Sequence, residues 1–138
     1  KSGLEQYVIF TGPLFDQEKK DVLAAASLFV LPTLSEAFGL VVTEALAFGV
    51  PVLTTKEAPW EDLLNHNCGW WVEPSAAAIS EGLSAALCTS QEALSQMGSN
   101  GRALVTSKYN WLSVAKKTID VYEWLLSRRD TPDFVQTY

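Results

Sequence analysis

At 138 residues, 48% hydrophobic and with five tryptophans, the chain is large and apolar enough to bury one core, which excludes a disordered tail. Its formal net charge of −6 excludes an extended nucleic-acid surface, which needs clustered Lys and Arg. The pairs Lys19-Lys20, Lys116-Lys117 and Arg128-Arg129 are short, scattered and expected on solvated helix faces.

Four short apolar runs bounded by turn signals are predicted as buried strands: 7–10 (YVIF), 28–32 (LFVLP), 51–55 (PVLTT) and 69–72 (GWWV). None alternates with period two, as befits strands covered on both faces. Helical patterns fall between them. Asp16 is placed to N-cap a helix over 16–26 whose apolar stripe is Val22, Leu23 and Ala26. A second helix is expected to begin near Phe38 and to stop at Gly49 and Pro51, and Pro59 stands near the start of a short third one. After the last strand, Ser75, Ser90 and Asn110 are positioned to cap helices over 76–88, 91–106 and 111–127. Residues 128–138 read as a loose tail beyond a single domain spanning 1–127.

Strand alternating with helix predicts an α/β fold: a Rossmann-like parallel sheet of about four strands with helices on its faces. Ligands of such sheets sit beyond the carboxyl ends of the strands. Residues 32–40 and 55–60 fall at that edge, and the segment 35–49, SEAFGLVVTEALAFG, which opens there, sets two carboxylates, Glu36 and Glu44, in an otherwise apolar stretch. A helix starting near Phe38 presents unpaired amides and a positive dipole end, and Gly39 admits a ligand close to the backbone. Treated as one helix, the stretch separates the two carboxylates by ~12 Å along its axis. That reach suits a ligand with hydroxyls at both ends and phosphates between, such as a nucleotide diphosphate sugar.

The run FVLPTLSEAFGLVVTEALAFGVPVLTT resembles the donor-binding signature of group 1 retaining glycosyltransferases, which have the GT-B fold. Pro32-Thr33, Glu36, Phe38-Gly39-Leu40, Glu44-Ala45, Ala47, Gly49 and Pro51-Val52 carry the resemblance. The flanking VIFTGPL, CGWWVEP and YNWLSVAKKTIDVYEWL extend it from residue 7 to about residue 127. The resemblance implies that Glu36 acts as the catalytic-site carboxylate and contacts hydroxyls of the transferred sugar. It implies that Glu44 holds the ribose, and that the backbone from Ala37 through Phe38, Gly39 and Leu40 meets sugar and phosphates. It further implies sugar transfer to a hydroxyl with retention of configuration, no cofactor and no metal. Thr33, Ser35, Lys56 and Glu61 are secondary candidates at the same edge.

The pattern also departs from the family. Its first two βα units, which carry an Arg–Lys diphosphate clamp, have no counterpart before Lys1, nor has the amino-terminal acceptor domain. The expected object is therefore a partial carboxy-terminal domain, inactive by itself, whose partners are the nucleotide-sugar donor and the missing acceptor domain. The usual Gly-Gly-x-x-Glu is replaced by 56–61 (KEAPWE), where Glu61 stands in for the last residue. Two of the family's strands separate 7–10 from 28–32. Segment 7–10 is thus expected either to pair directly beside 28–32 or to leave edges that another copy covers. Two alternatives share the architecture: a sugar-nucleotide epimerase of GT-B fold, and a non-catalytic doubly wound binding domain.

The remaining expectations are plainer. Cys68 and Cys88 make neither a disulfide framework nor a zinc site and are expected reduced and packed. His66 reads as a surface residue, Trp70 and Trp71 as core residues on opposite faces of a strand, and Trp60 as an anchor of its helix. No apolar run reaches the ~18 residues of a membrane span and no signal peptide opens the chain. The expected location is the cytoplasm, with any membrane association peripheral and made through the acceptor domain.

Overall fold

The computed structural model describes residues 3–136. Three strands form one parallel sheet in the order β1-β2-β3: β1 Phe29–Leu31, β2 Val52–Thr55 and β3 Gly69–Val72. Phe29 pairs with Val52 and Leu31 with Thr54, while Val52 pairs with Gly69 and Thr55 with Val72. All four β2 residues are buried, as a central strand covered on both faces requires.

Among the described residues there are six α-helices: α1 Asp16–Ala25, α2 Leu40–Ala47, α3 Asp62–Asn65, α4 Ala76–Cys88, α5 Gln91–Lys108 and α6 Trp111–Leu125. The three caps expected for the last helices are in place. Ser75, Ser90 and Asn110 accept from the amides of Ala78, Ala93 and Ser113. Asp16 is no cap: it is the first helical residue, at φ +44°, and Phe15 occupies the cap position without a side-chain bond.

One face of β2 meets the main core, in which Val42, Ala45 and Leu46 of α2 pack with Val52, Leu63, Cys68 and Leu104. On the other face, Leu53 lies against Gly82 of α4, where an added Cβ would come within 2.8 Å of Leu53 Cδ1. Trp60, Leu46, Leu53 and Leu63 are the largest fully buried side chains. Each is worth ~1.5–3 kcal/mol of burial. Helix α5 reaches α2 across paired glycines: a Cβ on Gly98 would stand 2.0 Å from the Gly49 carbonyl oxygen. Gly49, at φ +76°, terminates α2 as its place after Phe48 predicts.

The sheet has three strands, not four. Tyr7 closes a short 3-10 turn over Glu5–Tyr7, and residues 8–10 join no sheet. Their side chains are open to solvent, with Ile9 86% and Phe10 92% exposed. Among the described residues β1 is an edge strand whose outer side stays unpaired, and residues 8–10 do not enter its ladder. The pairing of 7–10 beside 28–32 does not occur.

Helix α6 follows its predicted bounds closely yet buries no residue; Trp111 and Leu112 are 87% and 81% exposed. The segment after it folds back rather than trailing free. Arg129 pairs with Asp120 and Glu123, and Lys117 lies 5.4 Å from the Phe134 ring. Residues 137 and 138 of the expected tail lie outside the described residues.

Candidate functional site

Because the sheet is parallel, the loops after β1, β2 and β3 emerge at one edge. They are tied together there. The Thr55 hydroxyl donates to the Thr33 carbonyl at 2.5 Å, and the Glu36 amide donates to the Glu57 carbonyl at 3.2 Å. Lys56 of the second loop donates to Glu73 of the third at 2.5 Å. Within the first loop, Thr33 Oγ1 donates to the Ser35 carbonyl and accepts from the Ser35 amide. The buried Thr54 hydroxyl donates to the Leu31 carbonyl. Thr54 and Thr55 thus hold the end of β1 and the loop start. Local pattern marks them only as strand residues.

Helix α2 begins at Leu40, two residues later than predicted. Gly39 is the N-cap, at φ +79° and ψ 66°, and no side chain caps the helix. That left-handed turn is favourable for glycine and costly for other residues. It leaves Glu36 and Ala37 in the loop, so the axial spacing expected for one continuous helix does not apply. Gly39 is buried, and the space a Cβ would take is bounded by Glu36 Cγ at 3.3 Å and Trp60 Nε1 at 3.5 Å. The bare backbone therefore sits directly beside the Glu36 side chain, which is half-buried.

Glu44 has a different setting. Lys19 of α1 donates to its Oε1 at 2.7 Å, while its buried Oε2 lies 2.6 Å from the same ammonium, off the hydrogen-bonding direction. Glu44 lines a cleft of about 350 Å³ between α1 and α2 with Asp16, Lys19, Lys20 and Phe48. It also lines a smaller cavity with Leu14, Phe29 and Val41. Glu36 lines neither. The two carboxylates of the motif thus belong to different surroundings, one beside Trp60 and one facing α1. The sequence places Lys19 on a solvated helix face, and a carboxylate one helix away is invisible to local patterning.

The secondary candidates divide likewise. Ser35 and Glu61 are exposed, and Thr33 is half-buried. The Lys56 ammonium is ion-paired with Glu73 and lies 5.8 Å from the Trp71 ring. Glu61 serves as N-cap residue of α3, its carbonyl accepting from Leu64 and Asn65.

Beneath the loop lies a cluster that the sequence did not reveal. Trp60 is fully buried and its Nε1 donates to the Phe38 carbonyl. The rings of Phe38, Trp60 and Tyr109 form a mutual triad with centroids 5.1–5.6 Å apart. The Tyr109 hydroxyl donates to Asp62 Oδ2 at 2.5 Å, and Lys108 donates to the same oxygen at 2.6 Å. Burial pushes the Asp62 carboxyl up, but the hydrogen bonds from Lys108 and Tyr109 and the Lys108 charge outweigh it, leaving the group below its ordinary value. Burial and the bond to Asp62 push the Tyr109 phenol up. His66 is exposed, as expected, with Nε2 4.0 Å from Asp62 Oδ1. Cys68 is buried, but Cys88 is exposed, against the expectation that both pack; it is the last residue of α4.

No described helix is long and apolar enough to cross a membrane. The fold and the motif have recognisable relatives. The family model for "Glycosyl transferases group 1" matches residues 1–104. The MMP alpha-(1->4)-mannosyltransferase of Mycolicibacterium hassiacum is 29% identical over 91% of this chain and 31% of its own length. The sucrose-phosphate synthase structure from Thermosynechococcus elongatus superposes with TM-score 0.76 at 29% identity, covering 92% of this chain and 32% of that one. The carboxy-terminal domain of a group 1 family glycosyl transferase from Francisella tularensis superposes with TM-score 0.67 at 30% identity, covering 79% of this chain and 57% of that one. The chain spans about a third of the length of the mannosyltransferase and the synthase. The α/β architecture is that of GT-B glycosyltransferases. Motif, fold and family model converge: the chain belongs to the group 1 glycosyltransferases.

Proposed function

We propose that the chain is the donor-binding portion of a retaining glycosyltransferase that moves a hexosyl group from a nucleotide diphosphate sugar to a hydroxyl acceptor. The observation that carries the reading is Gly39: a left-handed turn opening α2, with Glu36 Cγ 3.3 Å from where its Cβ would be. A helix start of this kind favours an anion, and the neighbouring carboxylate accepts sugar hydroxyls. In this reading Glu36 binds the transferred sugar at the reacting centre, and the backbone from Ala37 to Leu40 meets sugar and phosphates. Glu44 takes the ribose from the α1 side, and its two oxygens have lone pairs enough to accept from Lys19 and from a ribose hydroxyl. Fixed backbone dipoles then stabilise charge developing on the leaving diphosphate.

The acceptor site belongs to a further domain in this reading, so residues 1–138 alone transfer no sugar. Without further cationic contacts, each worth roughly 1.5–3 kcal/mol, they bind uridine or guanosine diphosphate no tighter than about millimolar. The test is direct. In the intact protein, Glu36→Ala with Glu44→Ala abolishes nucleotide-sugar binding measured by calorimetry. Unchanged binding in the double variant overturns the reading and favours a non-catalytic domain.

A further inference from the structure

The turn that opens α2 is held from a distance. No side chain caps the helix, and Gly39 has no side chain of its own to fix the turn. The restraint comes from Trp60, whose indole N–H donates to the Phe38 carbonyl. The consequence follows from peptide geometry. The Phe38–Gly39 bond is trans, as are all described peptide bonds, so its C=O and N–H lie in one plane and point in opposite directions. An indole that fixes the carbonyl therefore fixes the Gly39 amide on the far side of that plane. Trp60 in turn packs at a tilt of 47° against Tyr109, with centroids 5.1 Å apart, and the Tyr109 hydroxyl is anchored to Asp62. Lys108 completes the anchor by neutralising the same carboxylate at 2.6 Å.

We infer that Trp60 and Tyr109, anchored by Asp62, are positioning residues that hold the Gly39 amide as a preset hydrogen-bond donor to the phosphate or sugar of the donor substrate. The inference rests on the proposed donor-binding role and adds the remote residues that make the turn competent. Three otherwise separate pieces converge on one peptide plane: the loop after β2, the start of α3 and the end of α5. A fixed amide costs no reorganisation when the anion arrives, whereas a free turn must be ordered at that moment.

The experiment uses Trp60→Phe, which keeps an aromatic ring but deletes the indole N–H together with part of the buried ring system, and Tyr109→Phe, which deletes only the hydroxyl. Both are made in the intact protein. Amide exchange is read residue by residue with the diphosphate bound, where the Gly39 amide has its acceptor, and affinity is measured for uridine or guanosine diphosphate, whichever binds the parent more tightly. Losing one hydrogen bond of ordinary strength accelerates exchange at Gly39 and Leu40 and weakens diphosphate binding, each by about five- to tenfold. The same change leaves exchange in α4 and α5 as in the parent. Tyr109→Phe moves the same amides in the same direction by less, and it serves alone if Trp60→Phe does not fold. Exchange at Gly39 and Leu40 that is unchanged in Tyr109→Phe, or protection lost uniformly across the fold, overturns the inference. Failure of the parent to bind either diphosphate overturns the donor-binding reading instead, and does so whatever the exchange rates show.

Discussion

Lys19 and Glu44, 25 residues apart, form an ion pair at 2.6 Å across α1 and α2, with both side chains about 40% exposed. At that exposure the pair contributes at most ~1 kcal/mol. Lys19→Ala is expected to lower unfolding free energy by no more than that, and by less in about 1 M salt. Diphosphate affinity separates the two partners: Glu44→Ala weakens binding about tenfold or more, Lys19→Ala less than about threefold, on the strength of one charge-assisted bond. Equal losses from the two substitutions would reduce Glu44 to a structural role.

Glu36→Ala is expected to lower kcat/KM of the intact enzyme by about two to three orders of magnitude, the scale of losing a group that holds the substrate at the reacting centre. Steady-state kinetics with a nucleotide sugar donor check this, and Glu36→Gln, which keeps hydrogen-bonding capacity, retains more activity than the alanine.

The Asp62 anchor carries a pH signature. Its carboxyl titrates below the ordinary 3.8 in the folded protein, so its contribution is complete above that value and is lost as pH falls through the lower folded value. The groups facing it are Lys108, Tyr109 and His66. Asp62→Asn therefore unfolds more readily at neutral pH and has a flatter acid limb, which urea midpoints between about pH 5 and pH 2 resolve. Parallel acid limbs for the two proteins are the contrary outcome.

Two glycine substitutions should fail for different reasons. Gly98→Ala drives a Cβ to 2.0 Å from the Gly49 carbonyl, a clash with backbone that α5 relieves only by moving off α2. A loss of at least ~1–3 kcal/mol is expected in thermal denaturation. Gly39→Ala meets Glu36 Cγ only at 3.3 Å but must hold φ +79°, so its cost is ~1–2 kcal/mol of left-handed strain, and it falls on donor affinity as well as stability. Donor affinity unaffected by Gly39→Ala would show that the turn does not contact the ligand.

The cysteines should differ in reactivity. Burial, with the Asp62 charge nearby, pushes the Cys68 thiol up to about 11, while Cys88 is exposed at the end of α4. Under native conditions at neutral pH a thiol reagent is expected to modify Cys88 alone, and Cys68 only on unfolding. Prompt labelling of two thiols in the folded protein would contradict the packing around Cys68.

Local chemistry made much of this molecule legible in advance. The caps at Ser75, Ser90 and Asn110, the stop at Gly49 and the strand over 69–72 are written within a few residues of where they act, because a cap bonds an amide three positions on. The group 1 motif is equally local, and the family model confirms the membership it implied. Tertiary structure decided everything that depends on partners far along the chain. Lys19 finds Glu44 across 25 residues, Trp60 the Phe38 carbonyl across 22, and Tyr109 reaches Asp62 across 47. The same applies to the start of α2 at Leu40, where Gly39 turns left-handed beside Trp60 and Glu36, and to residues 7–10, whose strand-like composition is not enough without a neighbour to complete a ladder. Periodicity and capping are readable because they act within one helical turn or one pleat. Which carboxylate meets which cation, and which edge receives a strand, follow only when packing fixes the elements against one another.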